Sequence, residues 1–333
     1  MTCENEMPGR LMARESAESL RVFAASVLQK VDAEISMPRA IYTIARGSSD
    51  AAANILSYEF MRELHIPVTS MPPSIFSLGS GVSMEGAAVL VISQSGASQD
   101  LVLSAKGAGK AGARVVALTN QTDSAVERES DITFSIGAGP ELAVPATKSV
   151  VGSIAAGMAL LAQLKPSYLE KAQVAAQALS DMSLRHPQAN ELQSGFLRAR
   201  HVYVIGRDTG YGAAHEVALK LKECCAIHAE AYSSSEVLHG PLQLATNPLM
   251  VLILDTGLEQ TQDSLDQAEG RFRAVGCDVH RVRACDTGLE PITPSASAAA
   301  LLALIYPVIL ATALALGLDP DAPETLSKVT QTT

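Results

Sequence analysis

Tryptophan is absent from this 333-residue chain, and aromatic residues make up only 4% of it. Any core must therefore be packed mainly from aliphatic side chains and alanine. Charged residues are also sparse, at 18% against a hydrophobic fraction of 47%. That balance excludes an intrinsically disordered chain and suits a compact α/β or α protein. An excess of positive charge is missing too, since the formal net charge is −10. A general nucleic-acid binder needs a basic face, so no nucleic-acid partner is expected. A small anion stays open, because backbone amides and helix N-termini hold phosphate without net positive charge.

The five cysteines, Cys3, Cys224, Cys225, Cys277 and Cys285, are odd in number and lack zinc-finger spacing. Free thiols in a reducing compartment are expected, with Cys224 and Cys225 as helix packing. His228 and Glu230 have no second cluster at ligand spacing, so neither a metal nor a cofactor is expected. No basic segment leads into an apolar run near Met1, so no secretory signal is read and a cytoplasmic location is expected. The run 298–316 is long enough to span a bilayer. Pro307 interrupts it, alanine dominates it and no Lys or Arg cluster flanks it, so a buried helix is the better reading and no membrane partner is expected.

What is present is an alternation. A helical arm is read over 8–36, then a strand at 39–45 that runs into Arg46-Gly47-Ser48-Ser49, then a helix. A strand near Val68 and a continuous apolar run at 87–92 follow, the mark of a parallel strand covered on both faces. Strands at 114–119 and 132–136 and an alanine-rich helix to about Leu164 complete a doubly wound parallel sheet. After the polar stretch 185–190 the pattern restarts, with strands at 201–205, 249–254 and 278–282. The expected division is an arm (1–36), a first domain (37–185), a second copy of the same unit (191–318) and a tail (319–333).

Ser93 to Ser98 lies between a buried strand and a helix start, where hydroxyls, free amides and the helix dipole converge on an anion. A plain serine-capped turn is the alternative, and Ser49 on a neighbouring turn favours the anion. No lysine of the nucleoside-triphosphate loop follows Gly96. Thr147-Lys148 reads most simply as an exposed helix start. Glu216, Lys220 and Glu223 share a helical stripe, which alone reads as a solvated Glu–Lys face. His239, before Gly240-Pro241, is held on a turn and has the right chemistry for a proton shuttle.

Six motifs occur in order: Arg46-Gly47-Ser48-Ser49, Ser93-Gln94-Ser95-Gly96, Val144-Pro145-Ala146-Thr147-Lys148, Leu219 to Glu223, His228 to Ala231, and Glu236 to Pro241. Together they resemble the paired sugar-isomerase (SIS) domains of glucosamine-6-phosphate synthase. The tail Pro323 to Lys328 resembles that family's terminal lysine segment, with Glu324-Thr325 as a departure. The synthase's glutaminase domain has no counterpart here, so ammonia from glutamine is not expected. The stand-alone SIS-type glucosamine-6-phosphate deaminases are the nearest likeness.

The resemblance implies two tandem flavodoxin-like SIS domains and a phosphosugar substrate. It implies phosphate binding by Ser49, Ser93, Gln94, Ser95 and Ser98, and sugar contacts from Gly47, Ser48, Val144, Ala146 and Glu216. Glu223 would move the proton between C2 and C1, with Lys220 beside it, His239 in ring opening and Lys328 over the sugar. It also implies a homodimer whose histidine turn enters the partner's site. Open alternatives are another amino-sugar or fructosamine phosphate as substrate, an aminating isomerase, and a non-catalytic sugar-phosphate sensor.

Overall fold

A computed structural model describes residues 7–328, so Cys3 lies outside the described residues. Two parallel sheets organise them. The first contains β1 (Ile41–Ile44), β2 (Val68–Ser70), β3 (Ala88–Ser93), β4 (Arg114–Thr119) and β5 (Ile132–Ser135), in the order β2-β1-β3-β4-β5. The second contains β6 (His201–Gly206), β7 (Ala229–Ser233), β8 (Leu249–Asp255) and β9 (Asp278–Arg283), in the order β7-β6-β8-β9. The first four strands of each half therefore pair in the same sequence, and the chain is two copies of one α/β unit. The uninterrupted apolar runs of β3 and β8 are buried on both faces, as parallel strands between helix layers must be.

In the first half the helices are α1 (Arg10–Ala17), α2 (Ser19–Ser26), α3 (Ser48–Leu64), α4 (Ser74–Ser77), α5 (Gln99–Lys110), α6 (Ala125–Arg128) and α7 (Lys148–Leu164). Then come α8 (Leu169–Ser180), α9 (Ala189–Arg198), α10 (Thr209–Cys225), α11 (Gln262–Ala274) and α12 (Pro294–Ala315). The largest apolar cluster lies between the two sheets and joins both halves through Leu56 and Phe60 of α3, Met158 of α7, Val217 and Leu221 of α10, and Leu301 and Ile305 of α12. Separate clusters cover the outer faces, with Leu101 and Ala105 of α5 over the first sheet and Leu265 and Phe272 of α11 over the second. Cys224 and Cys225 are buried on α10 as packing residues, and burial pushes the Cys224 thiol up to about 12.

Helix α12 is the apolar run that could be mistaken for a membrane span. It has a mean hydropathy of 2.3, and 72% of its most apolar window is buried inside the protein. It begins at Pro294, earlier than the run at 298 suggested, because Thr293 caps it by accepting from the Ala296 N–H.

Four local readings change. The N-terminal arm is helical only to Ser26. Beyond it the Gln163 side chain bonds Val31 N–H and the Val31 and Ala33 carbonyls, taking up groups a helix would have paired. The polar stretch 185–190 is no open linker, because His186 is buried and α9 starts within it. Strand β7 was not read at all. It is an edge strand paired only to β6, and its half-buried residues give little apolar signal. Lys148, read as an exposed helix start, is buried and its ammonium meets Glu18 at 2.6 Å.

The two halves approach most closely where α10 crosses α3. A Cβ at Gly212 would sit 2.7 Å from the Ile55 backbone nitrogen and 3.0 Å from the Ala51 carbonyl. Gly270, by contrast, faces open space on exposed α11. Gly212→Ala should therefore cost about 1–3 kcal/mol through overpacking. Gly270→Ala should be neutral or stabilise by about 0.5–1 kcal/mol. Urea unfolding of the two variants beside the parent checks this, and an unchanged Gly212→Ala midpoint would refute the tight crossing.

Candidate functional site

Two loops leave the carboxyl edge of the first sheet at the point where its strand order reverses, between β1 and β3. The first, Arg46 to Ser49, turns on Gly47 at φ +52° and opens α3. The second, Ser93 to Ser98, turns on Gly96 at φ +59°, where a Cβ would collide with the Ser124 side chain. Serine oxygens shape this second turn: Ser93 Oγ accepts from Gly96 N–H at 3.0 Å, and Ser95 Oγ accepts from Ala97 N–H at 3.3 Å. Ser98 occupies the N-cap of α5, yet its hydroxyl makes no capping bond and is left for a ligand. The N-termini of α3 and α5 thus bring partial positive charge and serine hydroxyls to one spot.

Arg46 adds a fixed cation that the sequence reading did not place in the site. Its Nε and Nη2 both bond Asp100 Oδ2 at 2.9 Å, and Asp100 is fully buried in the first turn of α5. The signal was present, since a basic and an acidic residue bracket the two loops. No spacing rule, though, links positions so far apart in the chain.

The stripe on α10 comes to the same cleft from the second half. Lys220 and Glu216 have fully buried side chains, so the solvated Glu–Lys face is not what forms. Lys220 Nζ bonds Glu223 Oε2 at 2.5 Å and Ser48 Oγ at 2.9 Å, and lies 3.4 Å from Glu216 Oε1. Glu223 keeps a quarter of its side chain exposed, toward the cleft. Burial alone would lower the Lys220 ammonium, but Glu216 and Glu223 more than offset it and hold the charge in place. Burial, aided by the Glu223 charge, pushes the Glu216 carboxyl up to about 7 against the pull of Lys220. Tyr306 of α12 donates to Glu216 Oε1 at 3.2 Å.

The C-terminal tail forms the remaining wall. Leu326, Ser327 and Lys328 face Val144 and Ala146 across a cleft of about 760 Å³. All five expected phosphate contacts line it: Ser49, Ser93, Gln94, Ser95 and Ser98. So do Gly47, Ser48, Lys220 and Glu223. Two expected residues do not. Glu216 is enclosed beneath Lys220 and bonded to Tyr306, so it supports the lysine and cannot reach a sugar. His239 ends a short 3₁₀ turn, exposed to solvent and away from the cleft of its own chain. Among the described residues no three His, Cys, Asp or Glu side chains are grouped to hold a metal ion.

The buried Glu216 carboxyl makes stability depend on pH. Its folded pKa lies above the unfolded value of 4.5, so its contribution is complete below pH 4.5 and is lost as pH rises through about 7. The Lys220 shift acts only above 10.5 and leaves this window untouched. A shift of this size corresponds to on the order of 3 kcal/mol. Between pH 5 and 8 the urea midpoint of the parent chain should fall relative to that of Glu216→Gln, a comparison in which the opposite contributions of His186 and His215, whose imidazoles burial holds below their ordinary range, cancel. Parallel slopes for the two would refute the assignment.

The geometry can now be set beside known proteins. A glutamine–fructose-6-phosphate aminotransferase (isomerizing) of Thermotoga maritima is 31% identical over 314 residues, covering 86% of this chain and 51% of that protein. The chain spans about half the length of the curated relatives it matches. A solved candidate phosphosugar isomerase from Silicibacter pomeroyi DSS-3 is 31% identical, with a TM-score of 0.78, covering 94% of this chain and 95% of that one. A solved glucosamine-6-phosphate deaminase from Thermotoga maritima shares the fold at TM-score 0.76 and 20% identity, covering 97% of this chain and 99% of that one. The SIS domain model matches residues 34–163 and 195–305, one segment on each sheet, and the chain belongs to the SIS domain family.

Proposed function

We propose that this chain is an isomerising deaminase of glucosamine 6-phosphate, releasing ammonium and fructose 6-phosphate. One observation carries the reading: a hydroxyl-rich anion loop and a carboxylate–ammonium pair, supplied by different halves of the chain, face one cleft. Similarity to the aminotransferases and to the phosphosugar isomerase supports a phosphosugar substrate. A named glucosamine-6-phosphate deaminase shares the fold.

In this reading the 6-phosphate sits on Ser49, Ser93, Gln94, Ser95 and Ser98, against the N-termini of α3 and α5. The sugar then extends toward Glu223. After ring opening Glu223 takes the proton from C2 and returns it to C1, while a second proton passes from the amine nitrogen to the C1 oxygen, which converts the 2-amino aldose to a 2-imino ketose. Water adds to the C2=N bond, and the nitrogen leaves as ammonium. Lys220 holds the Glu223 carboxylate in place through its 2.5 Å bond. Lys328 reaches over the sugar from the tail. His239, exposed on its turn, would serve ring opening in the cleft of a second subunit, so a homodimer is part of the proposal. A phosphorylated substrate suits a cytoplasmic enzyme.

The direct test mixes purified protein with glucosamine 6-phosphate and measures ammonium and fructose 6-phosphate, expected in equal amounts. Inactivity on this substrate with turnover of a fructosamine phosphate would replace the proposed substrate. Net amination of fructose 6-phosphate by ammonium would point to an aminating isomerase, and binding without turnover to a sensor. A second prediction concerns the base. Glu223→Gln should slow C2-proton exchange with deuterated solvent by about 10²–10⁴-fold while substrate binding stays close to the parent value. Persistent exchange in that variant would assign the base elsewhere.

A further inference from the structure

Lys328 reaches the cleft from a segment with little structure of its own. From Asp321 to Lys328 the chain is neither helix nor strand, and every residue is at least partly exposed. It is held at both ends, and Val144 N–H donates to the Asp321 carbonyl at 3.3 Å. Upstream, Asp319 accepts from Gly9 N–H at 3.0 Å, and Asp321 accepts from Leu11 and Met12 N–H at 2.7 and 2.8 Å. Downstream, Lys328 Nζ meets Glu141 Oε2 at 3.2 Å.

Glu141 is itself firmly held. Its Oε1 accepts from Thr147 and Ser149 N–H at 3.0 and 3.1 Å, capping α7. Its Oε2 accepts the Ser149 hydroxyl at 2.6 Å as well as Lys328. The carboxylate is fully buried, whereas the lysine keeps 24% of its side chain exposed. Capping a helix does not require a charge, since serine, threonine or asparagine serve as well. A buried carboxylate carries a desolvation cost that a partner ammonium offsets. The residues spanned by these bonds include Val144 and Ala146, the wall that faces the tail.

We propose that Glu141 is the positioning residue for Lys328, fixing the tail lysine at the cleft and at a set distance from the Val144–Ala146 wall. The consequence for turnover rests on the deaminase reading above, whereas the positioning itself does not. Glu141→Gln retains the Oε1 acceptor for α7 and removes the charge that holds the lysine.

The test compares the parent chain, Glu141→Gln, Lys328→Met and the double variant. Brief acylation by an N-hydroxysuccinimide ester, read on the C-terminal peptide by mass spectrometry, should label Lys328 severalfold faster in Glu141→Gln, with other lysines unchanged. Equal labelling overturns the positioning, whether or not the protein turns over glucosamine 6-phosphate. With that substrate, Glu141→Gln should lower kcat by about tenfold with little change in KM, and the double variant should be no worse than Lys328→Met alone. Losses that multiply in the double variant overturn the catalytic consequence. If Glu141→Gln does not fold, Lys328→Met tests the pair from the other end. At a temperature where the chain stays folded it should be cut sooner after Leu326 by a chymotrypsin-like protease, and an unchanged cutting rate overturns the proposal.

Discussion

A lysine ammonium with no access to solvent sits where the two halves meet. Lys220 belongs to α10, its hydroxyl partner Ser48 opens α3, and the Glu216 carboxylate beside it is held by Tyr306 of α12. An unpaired ammonium there would carry a large desolvation penalty or lose its proton. The three helices must therefore keep their relative positions for the charge to stay paired. The same contacts aim Glu223 into the cleft. Interface and candidate site are one arrangement, and a change that loosens α3 against α10 disturbs both.

The other cations follow the same rule. Arg46 is held by buried Asp100, Lys328 by buried Glu141, and Lys148 by Glu18. Each base near the cleft thus has its charge largely cancelled by an acid beside it. Attraction for a phosphate then falls mainly to the backbone N–H groups of α3 and α5 and to the serine hydroxyls, which are fixed dipoles. This reconciles a chain of net charge −10 with an anion site.

The sheets were legible because their strands are continuous apolar runs, as in β3 and β8, and because the glycines at 47 and 96 mark loops of defined shape. The serine-rich loop after β3 was legible as a turn at a helix start for the same reason: its residues are adjacent in sequence. The α10 stripe could be seen as a face, but its burial could not, since that depends on Ser48 and Tyr306 from distant elements. Glu141 and Asp100 escaped notice because their roles exist only across long separations. Strand β7 and helix α9 escaped because an edge strand and a short amphipathic helix carry weak periodicity.

The second repeat ends its matching strand with different chemistry. Where β3 runs into Ser93, β8 runs into Asp255. That carboxylate is already committed: it accepts from Gly257 N–H, from Gln262 Nε2, and from Arg281 through Nε and Nη2. Arg281 in turn joins Asp266 and Glu269. The aspartate thus puts a paired carboxylate where the first sheet has a serine hydroxyl, beside a separate cavity lined by Asp255, Thr256 and Arg283. The second copy also presents α10 to the cleft at the edge of the first sheet, through Lys220 and Glu223. The two copies thus share one frame, while the first brings the serine loops and the second the Glu223–Lys220 pair to a single cleft.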